Sequence, residues 1–244
     1  MSKSTRTLAR VTIRPATSSD LDGIMSVEEE KFGTIDETAM ASREQMTHRI
    51  KLCNTDHYTW FWVAVQRDKI VGYVVVQPTD LTPDTCQTWD QATDGGKLTK
   101  TFNPLGVNLY GVSVAASESA PEQTSLLLLQ ESIKAWKKTG KKYFMFCCRM
   151  PGYAAANEGS AITIDPNDYW QWREPDGGPK DHYLRFFWQV FGADPVRLLK
   201  DGYPPDQESG GHGVLFAAEE PQFALQSVGQ LLAQRQSGKE ESRC

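Results

Sequence analysis

A strand, a loop, an amphipathic helix and a second strand follow one another in the middle of the chain. Residues 108–115 are apolar enough for a central strand, and apolar residues then recur at helical spacing as far as Trp136. Pro121 lies near the start of this helix, Gly140 marks its end, and residues 143–148 form a short apolar strand. This order predicts a βαβ unit with parallel strands. Its loop follows the carboxyl end of the first strand, where ligands bind in such units.

The flanking sequence predicts the other elements of a mixed α/β domain. Alternating or β-branched runs indicate strands, and capping residues followed by apolar residues at helical spacing indicate helices. The predicted strands are 10–14, 58–66, 70–77 and 213–218, and the predicted helices are 21–32, 42–53, 182–191 and 222–236. The second and third of these strands form a hairpin that turns at residues 67–69.

The length of 244 residues allows one domain with a substantial core. We predict a single domain over 9–236, with flexible ends at 1–8 and 237–244. Residues 79–106 are rich in Pro, Asp, Thr and Gly and have no clear period. We expect them to form an ordered flap, since loops of that length are commonly functional.

The composition excludes several classes of protein. The net charge of −5 argues against broad nucleic-acid binding, although a local basic patch is compatible with it. The N-terminal residues lack the apolar run of a signal peptide, and no stretch approaches the length that crosses a bilayer. The five cysteines contain no CxxC pair, so we expect reduced thiols and neither disulfides nor a metal site. A soluble, cytoplasmic protein without a membrane partner is the expectation.

Several runs of residues resemble one branch of the GCN5-related N-acetyltransferase (GNAT) superfamily, and the order of elements resembles the superfamily over nearly the whole chain. This branch includes GNAT-like domains that are linked to carbon–nitrogen hydrolases or that load polyketide synthases. The runs are WDQATDG at 89–95, FNPLG at 102–106, LYGV at 109–112, RMPGY at 149–153, GYPPD at 202–206 with Ser209, and GVLF at 213–216. The resemblance implies an α/β (α+β) fold of GNAT type: a mixed, mostly antiparallel sheet with a βαβ donor-binding core, flanked by helices.

The resemblance also implies a donor strand and a position for proton transfer. In the superfamily the strand before the loop binds the pantetheine arm of acyl-coenzyme A through free backbone groups. It implies this role for Val112, Ser113 and Val114, with acyl-CoA or another activated donor as a cosubstrate and no tightly bound cofactor. A tyrosine, or a histidine in the loading relatives, precedes a glycine of the late helix by four residues. Trp188 holds that position before Gly192. Tryptophan donates no proton at neutral pH, so we expect Trp188 to contact the substrate. Either another group then serves as the acid, or the reaction depends mainly on positioning of the reactants.

The loop after the donor strand departs from the superfamily pattern. Glycines in that pattern let backbone N–H groups close around a pyrophosphate at a helix N-terminus. The corresponding positions here are Ser119, Glu122 and Thr124, and Glu122 brings a negative charge towards the phosphates. In one interpretation Glu122 points outward as a capping-box partner of Ser119 and the helix dipole holds coenzyme A. In the other, the site serves a different donor.

Acylation of an amine needs a group that accepts a proton, and four residues are candidates. Glu29 belongs to a run of three acids at the end of the first helix, near the acceptor side of the fold that the chain resembles; a solvated helix face is the alternative. His182 follows Asp181 and is either a base or a surface group near a helix start. Tyr153 and Tyr203 each follow a turn and either place a phenol in the cleft or pack in the core.

Two further residues are candidates for substrate binding. Arg149 is the candidate cation for a substrate carboxylate or phosphate. Trp89 is one of several tryptophans that either line an apolar acceptor pocket or pack in the core. Cys147 and Cys148 lie in a short apolar strand that buries thiols, so we do not expect a cysteine nucleophile.

Five lysines crowd the end of the helix that follows the donor loop. They either form a solvated face that complements the helix dipole or dock the phosphates of transfer RNA or an acidic carrier protein. The lysines are Lys134, Lys137, Lys138, Lys141 and Lys142.

These features lead to one principal hypothesis and three alternatives. We expect an acyltransferase that moves an acyl or aminoacyl group from an activated donor, either acyl-CoA or another thioester or ester, to an amine of a small molecule in specialised metabolism. The alternatives are a carrier-protein-dependent S-acyltransferase or decarboxylase, an aminoacyl-tRNA-dependent transferase, and a non-catalytic GNAT-like binding module.

Overall fold

The computed structural model describes residues 10–33, 35, 37–159 and 162–241. For residues 37 and 235–241 only the backbone is described. The stretch 1–8 and the residues 242–244, which include Cys244, lie outside the described residues, and so do these parts of the predicted flexible ends.

In the described part of the chain, seven strands form one sheet in the order β1-β2-β3-β4-β5-β7-β6. β4 and β5 are parallel, and every other neighbouring pair is antiparallel. The sheet confirms the predicted fold class, and the parallel pair confirms the βαβ unit. The strands are β1 (Thr12–Pro15), β2 (Phe61–Gln66), β3 (Lys69–Thr79), β4 (Asn108–Ala116), β5 (Phe144–Cys148), β6 (Pro195–Leu199) and β7 (Gly213–Ala218).

Helices flank this sheet, and several begin and end at the capping residues that the sequence provides. Ser42 and Gln45 form a capping box at the start of α2, and Gly140 and Gly192 end α4 and α7 with left-handed backbone. None of the described helices combines the length and apolarity of a membrane span. The helices are α1 (Leu21–Phe32), α2 (Arg43–Cys53), α3 (Trp89–Thr93), α4 (Thr124–Thr139), α5 (Gly152–Asn157), α6 (Pro166–Tyr169), α7 (His182–Phe191) and α8 (Pro221–Glu241).

The core is centred on β3. All residues of β3 from Val71 onward are buried, which happens only when both faces of a strand are covered. α1 and α4 both pack on this strand, and α4 and α7 both contact α8. The centre of the sheet is therefore rigid, and β4, which pairs with β3 along its length, is held firmly beside it.

Residues 79–106, the predicted flap, contain α3 and a series of turns that are fastened to the body of the protein. Gln77 Nε2 donates to the carbonyl of Ala92 over 2.6 Å, and Gln45 Nε2 of α2 donates to the carbonyl of Gly95 over 2.9 Å. Leu98 is fully buried. These contacts press the flap against the sheet beside β4.

Candidate active site

β4 and β5 separate halfway along their length. They pair only from Leu109 to Gly111, opposite Phe144 to Phe146. Beyond that point β5 continues beside β7, whereas β4 continues beside β3. Among the described residues, the edge of β4 from Val112 to Ala116 thus faces no other strand. This edge borders a cavity of about 570 Å³.

The donor side of the cavity lies between the free edge of β4 and an aromatic wall. Val112, Ser113 and Val114, which the resemblance assigned to donor binding, all border it. Across the gap, Phe146 of β5 packs on Phe187 of α7 with ring centroids 4.7 Å apart. An extended ligand with amide groups fits this slot, because β4 offers unpaired backbone groups on one side and the rings offer an apolar surface on the other.

Several backbone N–H groups of the loop between β4 and α4 are engaged within the protein. The N–H of Glu118 donates to the carboxylate of Glu30, and Ser117 Oγ donates to the same carboxylate over 2.8 Å. The N–H of Ala120 bonds the Ser117 carbonyl, and the N–H of Thr124 bonds the Pro121 carbonyl. A pyrophosphate cradle needs such N–H groups free, so the Glu30 carboxylate of α1 holds the place of an anion here.

The three motif positions of this loop do not form a cradle. Ser119 and Glu122 are exposed, whereas Thr124 is buried at the start of α4. The residue at the N-cap of α4 is Gln123, without a side-chain capping bond, so Ser119 does not cap the helix. The hydrogen bond from the Glu118 backbone lowers the pKa of Glu30, which keeps this carboxylate charged beside the loop.

Glu28 is the buried carboxyl of the cavity. It lies on the inner face of α1 and is 2 % exposed. The N–H of Ala41 donates to its Oε1 over 2.6 Å, and the Tyr73 hydroxyl donates to its Oε2. Burial raises the pKa of Glu28 above its ordinary value, although both hydrogen bonds and the charge of Arg49 act in the opposite direction. A carboxyl with a raised pKa is suited to accept a proton near neutral pH.

Arg49 of α2 lies in the same part of the cavity and is 2 % exposed. Its Nε donates to the carbonyl of Gly96 in the flap over 2.8 Å. Burial lowers the pKa of Arg49, while the Glu28 carboxyl and two phenols act to raise it. We call the part of the cavity around Glu28, Arg49 and Tyr203 the acceptor chamber.

Tyr203 and Trp89 close the acceptor chamber on the side of β4. The Tyr203 hydroxyl donates to the carbonyl of Ala39 over 3.3 Å, and its ring meets that of Trp89 edge-on, with centroids 5.5 Å apart. Trp89 Nε1 donates to the carbonyl of Val112 over 2.9 Å, which ties the flap to the donor strand. Burial raises the pKa of Tyr203, and Glu28 raises it further. Both residues border the cavity, as their predicted roles require.

Arg149 borders the cavity, but its guanidinium is already paired. Its Nε and Nη2 each donate over 2.7 Å to Asp206, which is fully buried, and Nη2 also reaches Glu208 over 2.8 Å. The Asp206 carboxylate accepts from Ser209 as well. These hydrogen bonds between Arg149 and the two carboxylates fix the turn that carries Tyr203. They also engage Nε and Nη2 of the guanidinium that was predicted to bind substrate.

Four predicted residues lie at the margin of the cavity or away from it. Glu29 is exposed, one position from Glu28. His182 lines the rim and is exposed, and the carboxylate of Asp181 caps α7 instead of bonding the imidazole. Tyr153 and Trp188 do not border the cavity. The Tyr153 hydroxyl donates to the Ile164 carbonyl over 2.8 Å, and Trp188 packs over Gly178.

Glu28 and Arg49 are the residues that the sequence patterns miss, although helical periodicity carries the signal for both. Glu28 follows Ile24 by four residues, on the face of α1 that is buried. Arg49 follows Met46 by three residues, on the buried face of α2. A charged residue at an apolar position of an amphipathic helix is the signal, because such a group is costly to bury without a purpose.

The thiols of β5 are not activated. Cys147 borders the cavity and Cys148 is buried. Burial raises the pKa of both thiols above the ordinary value. Since the thiolate is the nucleophilic form, this environment supports the interpretation that neither cysteine is a nucleophile.

The lysine cluster lies at the other end of α4 from the donor loop. α4 has 16 residues, which places its two ends about 24 Å apart at ~1.5 Å per residue. Lys134 pairs with Glu131 over 2.7 Å, and Lys142 lies 4.6 Å from the ring centroid of Tyr143. The helix dipole and local pairing thus account for part of the cluster, and docking of a carrier protein or transfer RNA stays a prediction.

No protein-family model and no curated protein sequence matches the chain. Solved structures do match. The loading GNATL domain of CurA from Lyngbya majuscula superposes with a TM-score of 0.70 at 20 % identity, covering 86 % of this chain and 98 % of that one. The GphF GNAT-like decarboxylase in complex with isobutyryl-CoA gives 0.68 at 21 % identity, covering 85 % and 98 %. An N-acetyltransferase from Staphylococcus aureus Mu50 gives 0.51 at 15 % identity, covering 86 % and 99 %. The chain therefore has the GNAT fold, in a form similar to that of GNAT-like loading and decarboxylase domains.

Proposed function

We propose that the protein transfers an acyl group from a pantetheine thioester to an amine of a small molecule. The observation that carries this proposal is the free edge of β4, which leads directly to a chamber with a buried carboxyl, Glu28. The GNAT fold supports it, because the N-acetyltransferase and the decarboxylase that the chain resembles work on or bind acyl groups, as their descriptions state. A setting in specialised metabolism stays a prediction from the sequence.

The free edge of β4 acts as a strand partner for the donor. The amides of the pantetheine arm hydrogen-bond the backbone between Val112, whose carbonyl already accepts from Trp89, and Ala116, and the aromatic wall around Phe146 and Phe187 covers the arm. This orients the thioester carbonyl towards the acceptor chamber. Positioning of this kind supplies much of the barrier reduction in acyl transfer.

Glu28 accepts the proton of the amine. The amine nitrogen attacks the thioester carbonyl carbon, the C–N bond forms, the C–S bond breaks, and the amine proton passes to the Glu28 carboxylate. The sulfur leaves as a thiolate. Because a thiol has an ordinary pKa of roughly 8.5, the thiolate needs little help from a general acid. Trp188 at the position of the superfamily acid is compatible with this route.

The donor is held by its pantetheine arm more than by a nucleotide. Glu30 already accepts from the Glu118 N–H and the Ser117 hydroxyl, and Glu118 and Glu122 add exposed carboxylates, against which Lys31 is the cation near Glu30 and Glu118. These charges oppose a pyrophosphate. We infer that a pantetheine arm on a carrier protein and an acyl-CoA are both used, with little preference for the coenzyme. An aminoacyl-tRNA donor stays a prediction.

Decarboxylation of a carboxylated acyl thioester is the second candidate. The likeness to the CurA loading domain and to the GphF decarboxylase favours it. Trp188, where the resemblance places histidine, packs outside the cavity and offers no proton donor. Release of CO2 from malonyl-pantetheine by the purified protein would establish this activity in place of amine acylation.

Thiol release tests the proposal. Purified protein is incubated with acetyl-pantetheine or acetyl-CoA and an amine library of amino acids, polyamines and amino sugars, and free thiol is followed with a chromogenic reagent. We expect release that depends on an amine, at rates that differ less than about tenfold between the two donors, since a tenfold ratio corresponds to only ~1.4 kcal/mol. Amine-independent release, or none with either donor, would refute amine acylation.

A further inference from the structure

Arg49 is a buried cation that forms no ion pair with a carboxylate of the described residues. Its side chain comes from the inner face of α2 and borders the acceptor chamber at 2 % exposure. Among the described residues, its hydrogen bonds go to the Gly96 carbonyl and, over 3.7 Å, to the sulfur of Met46. No carboxylate oxygen of the described part of the chain forms an ion pair with it. By contrast, Arg149 forms an ion pair with the buried carboxylate of Asp206.

Glu28 does not form an ion pair with Arg49. It attracts Arg49 through space, but Oε1 accepts from Ala41 and Oε2 accepts from Tyr73. A guanidinium has five N–H donors, and among the described residues those of Arg49 have one carbonyl and one thioether sulfur as acceptors. Buried cations of this kind are stable when an anion pairs with them.

The flap holds the guanidinium in place without neutralising it. A Cβ at Gly96 would lie 2.5 Å from Arg49 Nη2, so only glycine lets the flap approach this closely. Gly96 also has a φ of +79°, which glycine adopts without strain. Its carbonyl fixes the Nε end of the fork. Nη1 has only the weak acceptor Met46 Sδ, and Nη2 lies beside Gly96, so neither has a strong acceptor among the described residues.

We propose that Arg49 binds a carboxylate of the substrate in the acceptor chamber. The proposal rests on the proposed acyl transfer and names the substrate class of that site. An α-amino acid carries its amine one carbon from its carboxylate, which suits a buried cation and a buried proton acceptor that border the same chamber. The carboxylate belongs either to such an acceptor or to the acyl group of a dicarboxylic thioester. A planar fork binds a carboxylate through two parallel hydrogen bonds in both cases.

Ligand binding tests this without turnover. In the acceptor arm, the wild-type protein is titrated calorimetrically with L-amino acids and with the matching amino-acid amides. In the acyl arm, malonyl-pantetheine is compared with acetyl-pantetheine. We expect the carboxylate form to bind at least about tenfold more tightly in one arm, as charge-assisted hydrogen bonds require. The arm that shows the preference identifies the source of the carboxylate.

Variants assign the effect to Arg49. R49Q removes the charge and abolishes the preference for the carboxylate, whereas R49K retains part of it through its ammonium group. R43Q is the matched control, since Arg43 lies on the same helix with a side chain that is 58 % exposed and paired with Asp22. We expect R43Q to bind like the wild type. Circular dichroism and thermal melts confirm that each variant is folded.

The outcomes separate this inference from the proposed function. Equal affinity for acids and their neutral counterparts in both arms of the wild type overturns the carboxylate site, even if the variants fail to fold. The same holds if a folded R49Q keeps the preference. Carboxylate binding that depends on Arg49, without any thiol release, supports this site and refutes amine acylation. If amino-acid amides are acylated as fast as amino acids, and malonyl- and acetyl-pantetheine bind equally well, the results support amine acylation and refute the carboxylate site at Arg49.

Discussion

Replacement of Glu28 by glutamine removes the proposed proton acceptor with little change in shape. The amide oxygen can accept from the Ala41 N–H, and the amide nitrogen can donate to the Tyr73 hydroxyl, so both present contacts of the carboxyl have a substitute. A positioned general base contributes roughly 100- to 10,000-fold to a rate. We therefore expect kcat/KM for the amine to fall by about that factor, or ~3–5 kcal/mol of transition-state stabilisation.

The assay is amine-dependent thiol release from acetyl-pantetheine, measured as a function of pH. Because burial raises the pKa of Glu28, the wild-type rate rises with pH through a midpoint above the ordinary value of a glutamate, and E28Q loses this limb. E29Q is the matched control: Glu29 is exposed on the same helix turn, and its replacement is expected to leave the rate unchanged. An E28Q rate within about threefold of the wild type would refute the role of Glu28, since general bases contribute far more.

Three further predictions concern the donor loop and stability. E30Q removes one negative charge beside the donor loop. Two charges about 4 Å apart interact by about 1 kcal/mol at the dielectric constant of water, so calorimetry should show roughly fivefold tighter binding of coenzyme A with unchanged binding of pantetheine. Unchanged affinity for coenzyme A would contradict the interpretation that the carboxylates at this loop oppose a pyrophosphate. The raised pKa of Glu28 contributes stability that is fully present below the unfolded pKa and is lost as pH rises through the folded pKa. In urea unfolding the wild type should therefore lose stability relative to E28Q across that window. Parallel pH curves for the two proteins would show that folding does not raise the pKa of Glu28. D206N removes the buried carboxylate that pairs with Arg149, which leaves this partly buried cation with the exposed Glu208 as its remaining partner. We expect the free energy of unfolding in urea titrations to fall by about 3 kcal/mol. A loss below ~0.5 kcal/mol, the size of an ordinary surface effect, would mean that the pair of Arg149 and Asp206 does not hold the turn.

The elements that could be predicted have local signals that agree with their tertiary partners. The parallel pair of β4 and β5 follows from the apolar runs and the capped helix between them, and Gly140 ends α4 where expected. The hairpin of β2 and β3 turns through Arg67 and Asp68, both with positive φ. Here local pattern and global fold point to the same structure.

The elements that were missed depend on partners that are distant in sequence. β6, an edge strand of five residues that begins at a proline, pairs with β7 alone. The short helices α3, α5 and α6 have too few turns for a periodic signal, since a helix of this length is not stable by itself. The flap likewise takes its shape from α2, through the bond between Arg49 and Gly96.

The donor side of the site could be predicted, whereas the acceptor side could be predicted only in part. Val112, Ser113 and Val114 border the cavity because the position of a strand in the βαβ unit fixes them. Within the acidic run, composition does not tell which carboxyl faces inward, whereas the spacing of four residues from Ile24 places Glu28, and not Glu29, on the buried face of α1. The engagement of the loop by Glu30 joins residues that are 88 positions apart, which no local pattern reveals.

Carbon-13 NMR of carbonyl-labelled acetyl-pantetheine tests the central claim most directly. The protein is incubated with the labelled thioester and the amine library, and the fate of the label is observed without a coupled reaction. Acyl transfer to an amine predicts that the thioester carbonyl signal is replaced by an amide signal, at a rate that E28Q lowers by roughly 100-fold or more. A label that stays in the thioester, or that appears only as free acetate, would contradict it.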